Sequence, residues 1–171
     1  MEGYVFAVNP HNGNVQWRIP FKASYSIAVA SSVWAPGNLL FVSSEYDAGT
    51  KVVKLERNGM RTEAKEVWSA NRLRLHHGNA ICIDGTIYFS SGGNGSVAVL
   101  SAVDIASGKI HWQDRVLSKA TFLWAGKKLI TLDRDGNRMR AQPGPQGFKI
   151  LAKADLLSSP EPGSTCATEV P

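Results

Sequence analysis

The chain has 171 residues, 43% hydrophobic and 19% charged, which is enough apolar material for a packed core and argues against disorder. The formal net charge is +5, but Arg72, Arg74, Lys127, Lys128, Arg138 and Arg140 lie in separate segments beside turns, without interleaved stacking aromatics, so no nucleic-acid partner is expected. Met1 to Phe6 lacks a basic stretch followed by an apolar run, so no signal peptide is read there, and no window reaches transmembrane length.

From the start, Tyr4 to Phe21 reads as two strands around the turn Pro10-His11-Asn12-Gly13. The next apolar pair is Val33-Trp34-Ala35-Pro36-Gly37-Asn38-Leu39-Leu40-Phe41-Val42. It recurs as Ile81-Cys82-Ile83-Asp84-Gly85-Thr86-Ile87-Tyr88-Phe89 and as Phe122-Leu123-Trp124-Ala125-Gly126-Lys127-Lys128-Leu129-Ile130. A second pattern, Gly followed four residues later by Trp, ends at Trp17 and at Trp112, with Trp68 standing between them. Both patterns advance together at a period of roughly 40–50 residues, the length of one four-stranded propeller blade. Tight-turn sequences separate the strands, among them Asp47-Ala48-Gly49-Thr50, Gly92-Gly93-Asn94-Gly95 and Arg134-Asp135-Gly136-Asn137. Helical periodicity is weak throughout.

The predicted fold is therefore all-β: a partial β-propeller of about three and a half four-stranded antiparallel blades over residues 1–157. Blade boundaries fall near 26, 70–78 and 117–120. In the last blade Phe148 or Ile150 stands where Trp would be. Residues 158–171, rich in Ser, Pro and Thr, read as a flexible tail. Cys82 reads as a buried free thiol, and Cys166 falls in the tail. Trp34 and Trp124 are expected to lie buried between blades.

Residues Ala102, Asp104, Ser107, Gly108, Lys109 and Trp112 resemble the repeat of the pyrroloquinoline-quinone-like (PQQ-like) propeller family, Ala-x-Asp-x-x-Thr-Gly-Lys-x-x-Trp. Ala7, Gly13 and Trp17 match as well, with Asn9, Asn12 and Asn14 in the Asp, Thr and Lys places. The resemblance implies a blade-docking role for Ala7, Gly13, Trp17, Trp68, Ala102, Asp104, Gly108 and Trp112. It further implies a bacterial protein, periplasmic or secreted when full length. The superfamily includes quinoprotein alcohol dehydrogenases and an outer-membrane barrel assembly scaffold.

The dehydrogenases hold calcium-bound PQQ with a Glu, an Asn and an Asp, under a ring of two adjacent cysteines. No adjacent pair exists here, and Glu45, Asp47 and Asp84 read as solvated hairpin ends. The expectation is a non-catalytic scaffold or binding module with no cofactor; the alternative is a dehydrogenase remnant that binds PQQ and calcium. The sharpest polar feature is His76-His77-Gly78, before a first strand and so at the mouth of the central channel. A metal or anionic ligand there is one reading; hydrogen bonds to neighbouring backbone at a blade junction is the preferred one. Tyr25 and Lys22 are candidates for the same mouth. Asp133 to Asn137 reads as a hairpin turn, since the Glu that completes a calcium loop is missing. The chain opens in mid-blade, which suggests a fragment of a longer protein, two copies closing a ring as a homodimer, or completion by a partner chain. A protein or small ligand on one propeller face is the expected partner.

Overall fold

A computed structural model describes residues 3–59, 61–92, 98–144 and 146–156. The predicted tail at 158–171, with Cys166, lies outside the described residues, as does most of the predicted turn Gly92 to Gly95.

Among the described residues fourteen strands follow one another, with a single 3-10 turn at Ser24–Ser26. The first sheet has two strands, β1 (Tyr4–Val8) and β2 (Val15–Pro20). The second runs β3 (Val33–Ala35), β4 (Leu39–Ser44), β5 (Gly49–Asn58) and β6 (Arg61–Ala70). The third runs β7 (Ala80–Ile83), β8 (Thr86–Ser91), β9 (Val99–Asp104) and β10 (Ile110–Asp114). The fourth runs β11 (Ala120–Ala125), β12 (Lys128–Asp133), β13 (Asn137–Gly144) and β14 (Gly147–Asp155). Every pairing is antiparallel and between sequence neighbours. First strands touch across sheets, β3 with β7 and β7 with β11, while β2 meets β6 and β10 meets β14. Each sheet is thus a propeller blade with its first strand innermost, and the chain is an all-β partial propeller of three blades and a half.

Sequence explains the hairpins locally. Asp84-Gly85 and Gly126-Lys127 are two-residue loops with positive φ at both positions, the backbone that matches the twist of antiparallel strands. Packing then joins the blades. Phe41, Val52, Leu73, Leu75, Ile87, Phe89 and Val103 form one core between the second and third sheets. Leu100, Leu117, Phe122, Leu129 and Met139 form another between the third and fourth. The third sheet is covered on both faces, and the four central residues of β8 are all buried. The alternating pattern of β12 shows a sheet covered on one face.

Two aromatics depart from expectation. Trp34 is 56% exposed and Trp124 is 37% exposed, so neither is buried between blades. Period-two alternation sends Ala35 into the core and Trp34 to the opposite face of β3. Trp124 shares the face of Phe122 but stands at the strand end, next to the hairpin, past the packed layer. Cys82 is half-buried rather than fully buried; it packs against the first core, and burial pushes its thiol pKa up. No helix among the described residues is long and apolar enough to cross a membrane.

Candidate functional site: the docking rim and the mouth

The predicted docking residues gather on the outer hairpins. Ala7 pairs with Trp17, and Ala102 pairs with Trp112. Val52 pairs with Trp68, and Ala141 with Ile150, which settles the Trp-equivalent position in the last blade. All four hairpins carry a register shift beside that pair. Such a bulge turns the strand locally and re-aims its side chains. Trp68 Nε1 donates to Ile105 O of the next sheet at 2.8 Å, and Trp112 Nε1 donates to Gly144 O of the next at 2.8 Å. Gly108 has φ of 74°, and a Cβ built on it would come 2.8 Å from Trp68 Cδ2. Only glycine lets that ring lie flat on the turn. Phe148 packs on Trp112 at 6.1 Å between ring centroids.

In the hairpins of Trp17 and Trp112 the turn is tied by one side chain. Asp104 Oδ1 accepts from Ser107 N at 2.7 Å and from Ser107 Oγ at 2.6 Å. The Ser107 hydroxyl is the main reason that the Asp104 carboxyl titrates below its ordinary range. Asn9 does the same work in the first hairpin, accepting from His11 N at 2.8 Å. Asn is therefore an adequate substitute for Asp at that position. Gly13, at φ of 72°, closes that hairpin by donating its N–H to Asn9 O at 2.8 Å.

The other face of the sheets holds a different constellation. The loop after β6 is pinned by Leu73 and Leu75, both buried, with Leu75 N donating to Ser43 Oγ at 3.0 Å. Asn79 clamps it to the fourth sheet: its Nδ2 donates to Phe122 O, and its Oδ1 accepts from Phe122 N, both at 2.8 Å. Between these anchors His76 is only 2% exposed. Its Nε2 lies 2.8 Å from Tyr46 Oη and its Nδ1 lies 3.3 Å from Lys119 Nζ. An ammonium can only donate, so Nδ1 accepts and Nε2–H is given to Tyr46. Burial, then the neighbouring His77 and Lys119, hold the His76 pKa down to about 4, so the ring is neutral near pH 7. His77 stacks on His76 with centroids 3.9 Å apart. The expected backbone partners of the histidine pair are thus replaced, for His76, by side chains that the turn after β4 and the linker after β10 bring in.

Tyr25 joins this group edge-on, 6.3 Å from the Tyr46 ring. It is 85% exposed and holds φ of 60°. Ser26, Tyr46 and Asp47 also have positive φ. Left-handed backbone at non-glycine residues is uncommon, and for a bulky residue it is an outlier. Ser24 Oγ donates to Asp47 Oδ2 at 2.9 Å, and Ser24 N to Tyr46 O at 2.6 Å, which hold the two loops together. Lys22 is exposed on the strand-like segment that leads into this loop, outside the ring contacts. Glu45 is not a solvated hairpin end: its Oε2 is buried with no hydrogen-bond partner among the described residues, and its Oε1 lies 3.7 Å from Arg74 Nη1. Asp47 lies 3.5 Å from the same guanidinium, while Asp84 is exposed at its hairpin.

Sequence reasoning singled out His76, His77 and Tyr25, and missed Tyr46 and Lys119. Among the described residues no three His, Cys, Asp or Glu side chains converge as metal ligands. Glu45 and Asp47 both face the Arg74 guanidinium.

Residues 1–142 match the family model described as outer membrane protein assembly factor BamB. Among solved structures, the crystal structure of BamB from Moraxella catarrhalis is similar at 10% identity and a TM-score of 0.45, covering 91% of this chain and 59% of that one. The chain therefore spans less than two thirds of that protein's length. No curated protein matches.

Proposed function

The chain belongs to the family of outer membrane protein assembly factor BamB, and from that premise we infer that it is a non-catalytic protein-binding propeller acting in outer-membrane protein assembly at the cell envelope. The observation that carries the reading is Tyr25. A large amphipathic ring stands almost fully exposed, on backbone held in the left-handed region, over the group formed by buried His76 with half-buried Tyr46 and Lys119. Tyrosine gives much contact area for two torsions, which is why it anchors protein interfaces. Strain of this kind persists only where surrounding structure imposes it, and it gathers at binding loops. The docking residues Ala7, Gly13, Trp17, Trp68, Ala102, Asp104, Gly108 and Trp112 serve this function indirectly, by holding the blades in one arc so that the mouth loops keep their places.

A photo-crosslinking amino acid at position 25 tests the reading in the bacterial envelope. Adducts with a component of outer-membrane protein assembly are expected there, and none are expected from position 18 on the outer hairpin. Equal labelling from both positions would sink it. The dehydrogenase reading predicts instead a rise in melting temperature on adding PQQ with calcium, because a ligand of the native state stabilises it; we expect no shift.

A further inference from the structure

Beside the mouth a cleft of about 480 Å³ opens between the linker from β10 to β11 and the turn from β12 to β13. Four cations line it: Arg115, Lys119, Arg134 and Lys153. Among the described residues none of the four takes part in an ion pair; the ion pairs present join other residues. Two of them are forced together by the backbone, because Arg134 N donates to Lys119 O at 2.7 Å. Burial and the Arg134 charge lower the pKa of Lys119, against a smaller opposing effect from Glu45. The wall also holds Ser118, whose Oγ is buried without a hydrogen-bond partner among the described residues.

The acidic side chains of the cleft do not cancel this charge. Asp133 is committed inward: its Oδ1 accepts from Asp135 N at 3.0 Å and Asn137 N at 2.8 Å. Asp135 in the cleft and Glu45, which acts on Lys119 from the mouth side, leave the four cations only partly offset.

We propose that this cleft binds an acidic peptide segment of the partner protein, with carboxylates seated on Arg134 and Lys119. Three features favour a peptide over nucleic acid. Among the described residues no aromatic side chain lines the cleft, so bases have nothing there to stack on. The volume suits a few side chains rather than a strand. Asp135 repels an unbroken phosphate backbone, whereas a peptide offers it N–H donors between carboxylates. Guanidinium and ammonium groups both pair with carboxylate, Arg in bidentate fashion. The cleft is continuous with the mouth through Lys119, which touches both. The proposal rests on the reading of the chain as a protein-binding propeller.

Fluorescence anisotropy with rhodamine-labelled hexaglutamate tests it. Saturable binding to the full chain at low salt is expected, weakened at least tenfold by Arg134→Gln and by Lys119→Gln. Lys149→Gln, on β14 outside the cleft, should bind as the parent does. Melting curves confirm that the variants fold, and Arg134→Gln is decisive if Lys119→Gln disturbs His76. Absent binding, or binding that ignores Arg134, overturns the proposal. So does a dodecathymidylate that binds more tightly than hexaglutamate and is lost in the same variants. A retained crosslink from position 25 together with no hexaglutamate binding would overturn the cleft alone and leave the partner-binding reading intact.

Discussion

At the outer rim the sheets repeat one another; at the mouth they do not. Trp68 and Trp112 each donate an indole N–H across to a turn carbonyl of the following sheet, and each sits beside a bulge in the same register. The mouth group draws Tyr25, Tyr46, His76 and Lys119 from four different connections, and among the described residues their side-chain contacts are not repeated in the neighbouring blade. The difference separates two kinds of work. A contact that recurs in every blade carries architecture, because a blade cannot cover its own faces. A contact made once is open to function. Substitutions of the rim docking residues should therefore change stability and leave binding alone, and substitution of exposed Tyr25 at the mouth should weaken binding and leave stability alone.

The largest effect is expected from Gly108→Val. A branched side chain at φ of 74° and 2.8 Å from the Trp68 ring should cost about 3 kcal/mol or more in urea unfolding. Gly85→Ala, with a similar φ of 77° but open space around its Cβ, should cost only about 1 kcal/mol. Equal losses would remove the Trp68 contact from the account. Trp112→Ala should follow at about 3 kcal/mol, while Trp112→Phe, which keeps a ring but leaves Gly144 O without its donor, should lose about 1 kcal/mol.

The mouth has its own signature in pH. Above about pH 6.5 neither folded nor unfolded His76 is protonated, and the residue adds no pH dependence. Between 6.5 and about 4 the unfolded chain takes up a proton that the folded chain refuses. Stability should fall through that window by on the order of 2 kcal/mol and level off below it. Melting curves from pH 7 to pH 4 measure the loss, and His76→Gln should flatten that part of the profile. The smallest effect belongs to the exposed Lys65–Glu56 pair on the hairpin of the second sheet, 2.8 Å apart. Its hydrogen bond lowers the Glu56 pKa and raises that of Lys65, yet Lys65→Ala should leave the melting temperature unchanged within error.

These two regions were unequally legible. Trp17, Trp68, Gly108 and Trp112 announce themselves because a repeat writes the same physical demand several times over. His76, His77 and Tyr25 drew notice by composition alone. Tyr46 and Lys119 carried no signal, since each is unremarkable until the topology sets it against His76. Trp34 and Trp124 misled because an aromatic in an apolar strand resembles core. The side of the sheet that each ring takes depends on parity and on how far the neighbouring blade extends.

The recurring bulge beside each hairpin pair has a consequence for evolution. It recurs once in every blade, inside the sheet and apart from the loops that join one blade to the next. The linker from β6 to β7 and that from β10 to β11 differ in length, yet the hairpins that follow them arrive in the same register. Insertions and deletions at the mouth are thereby hidden from the scaffold, and recognition loops can diverge in length while the blades keep step.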